Sequence, residues 1–160
     1  MEQSKEIEQF INLTLSLIHP DLFQCGLQML QKLRLLDSTK DLARQWQSVF
    51  TAIQIISNRM TPGHRDRKGR PEWFDILLNY SGREGTPRFL VHDLEMDLDY
   101  SSGTVVGFCG SILEHEVKYW GPSDRVCYAH FFRESVRRRL DVPPAGWVNR
   151  GMYLPQACPN

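Results

Sequence analysis

The chain has 160 residues, which suits one domain around a single hydrophobic core. Its 19 basic and 19 acidic residues balance to a net charge of zero, so any affinity for nucleic acid has to come from a local patch. The sequence contains no apolar run of bilayer length, and its acidic start lacks the pattern of a signal peptide, which predicts an intracellular protein without a membrane segment.

The first 46 residues are predicted to form a helical flank of three helices. Apolar residues recur at helical spacing in IEQFINLTLSLI and again in DLFQCGLQMLQKLRLL, where Pro20 suits a first helical turn. The segment DSTKDLARQW predicts a third, short helix. Such apolar stripes indicate core packing, so we assign these helices no catalytic role.

Residues 47–135 are predicted to form a β-rich core. Five segments indicate strands, and turn signals separate several of them: SVFTAIQIIS, EWFDILLNY, PRFLVHDLEM, GTVVGFCG and RVCYAHFF. Because the helices precede the strands and do not alternate with them, a sandwich or barrel is favoured over a parallel α/β fold. Residues 141–160 are predicted to be an irregular tail, which completes one domain over residues 1–160.

The four cysteines are scattered and form no C-x-x-C pair, which argues against a zinc site and a disulfide framework. The loop TPGHRDRKGRPEW instead suggests a different metal site. His64 and Asp66 are two residues apart, so an extended segment would point both side chains to one side. His115 follows a predicted strand and could supply a third ligand. Two histidines and one carboxylate form the facial triad of non-haem Fe(II) oxygenases. The motif H-x-D alone is weak, and a solvated charged turn is the alternative.

Arg125 begins the last predicted strand and strengthens the metal hypothesis. A 2-oxo acid that chelates iron carries a second carboxylate, and the planar guanidinium fork of an arginine binds such a group with two hydrogen bonds. Strand alternation places Arg125, Cys127 and Phe131 on one face and His130 on the other. If Arg125 faces the site, His130 does not, which favours His115 as the distal ligand.

Three segments of the sequence also resemble the fungal TET/JBP-type dioxygenases: ISNRMTPGHRDRKGRPEWFDILL, GTVVGFCGSILEHEV and DRVCYAHFFRESVRRRL. The resemblance covers roughly residues 10 to 140. It implies a double-stranded β-helix, or jelly-roll, core that uses Fe(II), 2-oxoglutarate and O2. It also implies DNA as partner, oxidation of 5-methylcytosine to hydroxymethyl, formyl and carboxyl forms, and a nuclear location. N6-methyladenine is a further substrate possibility in this family.

The resemblance assigns roles by position. His64, Asp66 and His115 match the iron triad of the family, and Arg125 matches its 2-oxoglutarate arginine. Cys127 stands where related enzymes often have a serine, and this departure weakens one hydrogen bond to the cosubstrate, because a thiol is a weak donor.

Further positions are assigned to the cosubstrate or the substrate. Asn58 and Arg59 fall where family members approach one of the two. A target base flipped out of DNA would stack on Phe131. Asp75 would accept a hydrogen bond from an exocyclic amine, with a surface or edge carboxylate as an equal alternative. The basic side chains of the loop would hold phosphates, with a solvated turn as the alternative: Arg65, Arg67 and Arg70.

Two departures from the family keep other interpretations open. A jelly roll needs about eight strands and five are clear in the sequence, and relatives that act on DNA usually carry more sequence outside this core. The chain could therefore be a minimal version, a fragment or an inactive remnant. The rival functions are a related oxygenase acting on a protein or small molecule, and a catalytically inactive nucleic-acid-binding remnant.

Overall fold

The computed structural model describes residues 2–67 and 69–153. The last seven residues of the predicted tail, 154–160, lie outside the described residues, and Cys158 is one of them. The described chain forms four α-helices and two short 3-10 helices: α1 Glu2–Ile18, α2 Pro20–Leu35, α3 Lys40–Gln45, α4 Glu134–Arg139, and the 3-10 helices His92–Leu94 and Arg150–Tyr153. No helix among these is both long and apolar enough to cross a membrane.

The junction between α1 and α2 is built around His19. Its Nδ1 atom accepts a hydrogen bond from the backbone N–H of Leu22 at 3.3 Å, and its Nε2 atom lies 3.1 Å from the carbonyl oxygen of Glu72. Pro20 occupies the first turn of α2. Backbone N–H groups in this turn have no partner within the helix, so the missing N–H of proline costs no hydrogen bond. Burial lowers the pKa of His19, which favours the neutral imidazole that this capping arrangement requires. The predicted helical start is confirmed here.

The described residues contain eight strands, arranged in two antiparallel four-stranded sheets. The strands are β1 Ala52–Ser57, β2 Thr61–His64, β3 Asp75–Ser81, β4 Arg88–Val91, β5 Met96–Asp99, β6 Val105–Phe108, β7 His115–Val117 and β8 Arg125–Phe131. The first sheet has the order β1-β8-β3-β6 and the second β2-β7-β4-β5. The chain passes repeatedly between the two sheets, which confirms the predicted double-stranded β-helix core.

The sequence patterns missed three of these strands and one helix. β2, β5 and β7 have only three or four residues each, too few for a clear alternation of apolar and polar side chains. Pro62 lies within β2, which is possible because β2 is an edge strand. The segment predicted as one strand around residue 92 is interrupted by the 3-10 helix His92–Leu94, and Glu95 adopts φ 51° there. α4 lies at the predicted boundary between core and tail.

Two hydrophobic clusters hold the layers together. α1 and α2 cover the outer face of the first sheet, where Leu15, Met29 and Ile76 are completely buried. The second cluster lies between the sheets and contains Phe89 and Tyr100. β3 contributes to both clusters because successive side chains of a strand point to opposite faces. The space between the sheets beyond the second cluster holds the candidate site.

We expect Ile76→Ala to destabilise the fold by about 2–5 kcal/mol, because it removes buried methyl and methylene groups and leaves a cavity. Ile76 is 0% exposed, whereas Ile55 on the edge strand β1 is 63% exposed. The matched control Ile55→Ala should therefore change the free energy of unfolding by no more than about 0.5 kcal/mol. Urea denaturation followed by circular dichroism measures both values, and equal losses in the two variants would contradict the described packing.

Candidate active site

A cavity of about 480 Å³ opens between the two sheets. β1, β2, β3, β7 and β8 line it together with the loop that follows β2. Nearly all the side chains singled out in the sequence lie on its wall: Arg59, His64, Arg65, Asp66, Arg67, Asp75, His115, Arg125, Cys127 and Phe131. Asn58 and Arg70 are the two predicted site residues that do not line it.

The three predicted metal ligands converge at one side of this cavity. β2 and β7 are antiparallel neighbours whose register places His64 directly opposite His115, with ring centroids 4.2 Å apart. Asp66 lies 3.7 Å from Nε2 of His64 through Oδ1 and 3.8 Å from Nε2 of His115 through Oδ2. One ligand atom from each residue falls within 4.8 Å of the other two. Two imidazoles and one carboxylate form a donor set that suits a divalent iron.

Backbone carbonyls fix the orientation of both imidazoles. Nδ1 of His64 lies 3.0 Å from the carbonyl oxygen of Pro62, and Nδ1 of His115 lies 3.0 Å from that of Leu113. A carbonyl can only accept, so each Nδ1 carries the proton and each Nε2 keeps its lone pair for a metal. Burial lowers the pKa of His115, which keeps that ring neutral and able to act as a ligand.

Gly110 makes room for the carboxylate of Asp66. The backbone N–H of Asp66 donates to the carbonyl oxygen of Gly110 at 2.8 Å, which brings the two residues close together. A Cβ atom at position 110 would lie 2.7 Å from Oδ2 of Asp66 and 2.6 Å from Oδ2 of Asp75. Both distances are shorter than Cβ contacts in folded proteins, so a side chain at position 110 would displace one or both carboxylates.

Asp75 is the first residue of β3, an interior strand of the first sheet, and its side chain is half-buried in the cavity wall. Burial and, to a smaller extent, the nearby Asp66 raise the pKa of Asp75 to about 7. The alternative of a surface or edge carboxylate does not fit this position. The contact of Asp75 with an exocyclic amine stays a prediction.

Arg125 is a buried cation without a counter-charge. Only 2% of the residue is exposed, and its guanidinium carbon lies 5.2 Å from the ring centroid of Tyr100 and 5.4 Å from that of Trp120. Within the described residues no carboxylate pairs with it, and its Nε atom has no hydrogen-bond partner. A buried charge of this kind is unfavourable unless a ligand neutralises it, so the site fits a small molecule that carries a carboxylate.

Cys127 and Tyr100 complete the surroundings of Arg125. The Sγ atom of Cys127 lies 3.4 Å from the hydroxyl oxygen of Tyr100. Burial raises the pKa of both groups, so thiol and phenol are neutral around pH 7. The sequence analysis missed Tyr100 and Trp120, because only the folded chain brings their rings to Arg125. No pattern in the sequence marks either residue.

Asn58 supports the site from outside the cavity. Its Oδ1 atom accepts the backbone N–H of Arg125 at 2.7 Å, and its Nδ2 atom donates to Oδ1 of Asp124 at 2.7 Å. These bonds tie the end of β1 to the start of β8. Both ends of the amide are engaged within the chain, so Asn58 holds the backbone of Arg125. Arg59 does line the cavity, and its contact with a bound molecule stays a prediction.

Two of the three loop arginines are engaged inside the protein. Arg65 donates from Nε to the carbonyl oxygen of Ile112 at 2.8 Å and pairs with Asp93 at 2.8 Å and Glu114 at 3.0 Å. Arg70 pairs with two acids, Glu72 and, at 3.6 Å, Glu134. These guanidinium groups fasten the loop to the fold and are poorly placed to hold phosphates. Arg67 makes no ion pair with any described residue, and its phosphate contact stays a prediction.

The other face of β8 serves packing. His130 is fully buried, and its Nε2 atom lies 3.1 Å from Oε1 of Glu8 on α1. The strand alternation that separated His130 from Arg125 is thus present in the structure. His92 also contacts a carboxylate of the chain, because its Nε2 atom lies 2.9 Å from Oε2 of Glu116. Neither histidine belongs to the group around Asp66.

Replacing any one of His64, Asp66 or His115 by alanine should abolish tight binding of Fe(II), because two remaining ligands cannot form a facial set. The matched control is His92→Ala, which removes an imidazole outside the cavity and should leave the affinity unchanged. Anaerobic titration with Fe(II), with circular dichroism to verify the fold, measures the effect. A folded variant with the affinity of the original chain would remove its residue from the ligand set.

The comparisons with known proteins agree with this geometry. Residues 1–134 match the family Tet_JBP, described as the oxygenase domain of the 2OGFeDO superfamily. Sixteen chains of known structure match the fold. One of them is NgTET1 in complex with 5mC DNA, with a TM-score of 0.61, 14% sequence identity and coverage of 92% of this chain. The chain spans 53% of that NgTET1 chain. A search of curated proteins finds no match to the sequence.

The family match covers most of the chain and includes all three proposed metal ligands and Arg125. Enzymes of this superfamily are oxygenases that use Fe(II) and 2-oxoglutarate. The donor set fits the metal, and the buried guanidinium, which no described carboxylate neutralises, fits the carboxylate of the cosubstrate. The chain therefore belongs to the Tet_JBP family of 2-oxoglutarate- and Fe(II)-dependent oxygenase domains.

Proposed function

We propose that the chain is an active dioxygenase that oxidises methylated bases in DNA, converting 5-methylcytosine to 5-hydroxymethylcytosine and further products. The observation that carries this proposal is the presence, in one cavity, of a His-Asp-His group and a buried arginine without a counter-charge. The similarity of the fold to NgTET1 in complex with 5mC DNA supports the choice of a methylated base as substrate. N6-methyladenine is a further candidate.

In the proposed site, His64, Asp66 and His115 hold Fe(II), and Arg125 binds the distal carboxylate of 2-oxoglutarate. When bound, the iron supplies the oxidising chemistry, in which O2 and 2-oxoglutarate are consumed and a methyl C–H bond is hydroxylated. The protein fixes the orientation of the side chains that would hold the metal and the cosubstrate. The carbonyl oxygens that bind both Nδ1 atoms keep Nε2 directed at the metal, and the rings of Tyr100 and Trp120 prevent Arg125 from moving away.

The remaining cavity wall suits a flat base. Phe131 is half-buried on the same face of β8 as Arg125 and provides a surface on which a flipped base can stack. Asp75 lies across the cavity wall on β3 and provides an acceptor for an exocyclic amine. Flipping is needed because a methyl group stacked inside a duplex is shielded from a metal that the three proposed ligands would hold, and unstacking costs a few kcal/mol.

We further propose that residues 1–160 act as one domain, and that Arg67, exposed at the cavity wall, contacts the DNA backbone. A DNA substrate implies work in the nucleus. One observation favours a second candidate function, an oxygenase for a protein or small molecule. The chain is neutral overall, and Arg65 and Arg70 are already paired with acids, so the basic loop offers less charge to DNA than its sequence suggests.

Incubation with Fe(II), 2-oxoglutarate and an oligonucleotide containing 5-methylcytosine should yield 5-hydroxymethylcytosine, which mass spectrometry detects as an added oxygen atom. Asp66→Ala is the matched control and should give no product, because it removes a metal ligand. Parallel measurement of succinate with methylated DNA, peptides and small molecules distinguishes the two candidate functions. Succinate stimulated by a peptide and not by methylated DNA would sink the nucleic-acid proposal.

Arg125→Lys should raise the Kd for 2-oxoglutarate about tenfold or more, because lysine keeps the charge and loses one of two charge-assisted hydrogen bonds, each contributing about 1.5–3 kcal/mol. The control Cys127→Ser should bind 2-oxoglutarate as well as the original chain or better, since a hydroxyl donates more strongly than a thiol. Anaerobic calorimetric titration of the iron-loaded protein measures both. An unchanged Kd for Arg125→Lys would show that another cation holds the carboxylate.

A further inference from the structure

Arg133 lies at the wall of the cavity and is stacked on an aromatic ring. Its guanidinium carbon is 4.7 Å from the ring centroid of Phe131, and both side chains line the cavity. Arg133 is exposed, whereas Phe131 is half-buried. A guanidinium that stacks on a ring keeps the N–H groups of its edge free for a ligand.

The surroundings leave the charge of Arg133 uncompensated. Glu134, the next residue, is already occupied, because its carboxylate pairs with Arg137 at 2.8 Å and with Arg70 at 3.6 Å. Among the described residues no acidic side chain forms an ion pair with Arg133. Its backbone is fixed, since the N–H of Arg133 donates to Oγ1 of Thr51 at 2.7 Å. A cation therefore lies at the cavity wall without an acidic partner in the part of the chain that the structure describes.

We propose that Arg133 binds a backbone phosphate beside the target nucleotide, with Phe131 as the platform that orients its guanidinium. This inference rests on the proposed function. A nucleotide joins a flat base to a phosphate, and Phe131 and the Arg133 guanidinium over its ring place an aromatic surface and a cation together at the cavity wall. The guanidinium fork matches two phosphate oxygens with two hydrogen bonds. Arg65 and Arg70 form ion pairs within the protein. In this proposal the phosphate contact is made by Arg133, which follows β8.

The test combines removal of the positive charge of Arg133 with neutralisation of single phosphates in the DNA. Oligonucleotides containing 5-methylcytosine are prepared with one neutral methylphosphonate at each position around the methylated base in turn. Their affinities for the iron- and 2-oxoglutarate-loaded protein are measured anaerobically over a series of salt concentrations. The variants are Arg133→Ala, Arg133→Lys and the control Arg83→Ala, which removes an exposed arginine outside the cavity wall.

Arg133→Ala should reduce the slope of log K against log salt by up to about 0.9, the contribution of one phosphate contact on duplex DNA. One methylphosphonate position should weaken binding to the original chain and have no effect on Arg133→Ala. Arg133→Lys should keep the slope and lose affinity, because a lysine lacks the planar stack and the fork. Arg83→Ala should behave as the original chain does. The affinity for 2-oxoglutarate should be the same in all variants.

Two results would overturn the inference: an unchanged salt slope for Arg133→Ala, or a methylphosphonate effect that is equal in this variant and the original chain. Failure of the original chain to bind DNA would overturn it as well. Product analysis tests the proposed function separately. If DNA binds through Arg133 and no oxidised base forms, the phosphate contact stands and the proposed oxidation fails. If Arg133→Ala does not fold, Arg133→Lys and the methylphosphonate series on the original chain still decide.

Discussion

A buried guanidinium that pairs with no carboxylate in residues 2–67 and 69–153 is the constraint on which the site depends. Placing a cation in an apolar interior is unfavourable, and a fold tolerates it only where the surroundings prevent the side chain from escaping to water. Here Tyr100 and Trp120 flank Arg125, and Asn58 binds its backbone N–H. β8 is an interior strand, paired with β1 and β3, so it cannot shift to relieve the charge. A bound carboxylate would neutralise it.

The same strand connects the site to the helical layer. Its inward face carries Arg125, Cys127 and Phe131, and its outward face carries His130, which contacts Glu8 on α1. The helices therefore do more than fill a hydrophobic face, because they hold the strand that carries Arg125. The proposed metal ligands His64 and His115, in contrast, lie on the second sheet, where β2 pairs with β7. The site thus depends on the two sheets keeping a fixed separation, which the cluster between them provides.

The sequence was more informative about the candidate site residues than about the strands and contacts that position them. His64, Asp66 and Arg125 could be selected because residue spacing and strand alternation act locally along the chain. The strands β2 and β7 could not be identified, because three or four residues carry no clear period and their pairing is a tertiary property. The roles of Tyr100 and Asn58 were hidden for the same reason, since each depends on a contact with a residue far along the chain.

The arginines show why a count of charges cannot define a binding surface. Arg65 and Arg70 lie beside the metal ligands in the sequence, which made them natural candidates for phosphate contacts. Arg70 pairs with the nearby Glu72, but the other partners of these two arginines, Asp93, Glu114 and Glu134, come from distant segments and fasten the loop to the fold. Glu134 pairs with Arg137 at 2.8 Å and with Arg70 at 3.6 Å, and it forms no ion pair with the neighbouring Arg133. An internal ion pair can therefore act on binding indirectly, since the acid it consumes determines which other cation remains available for a ligand.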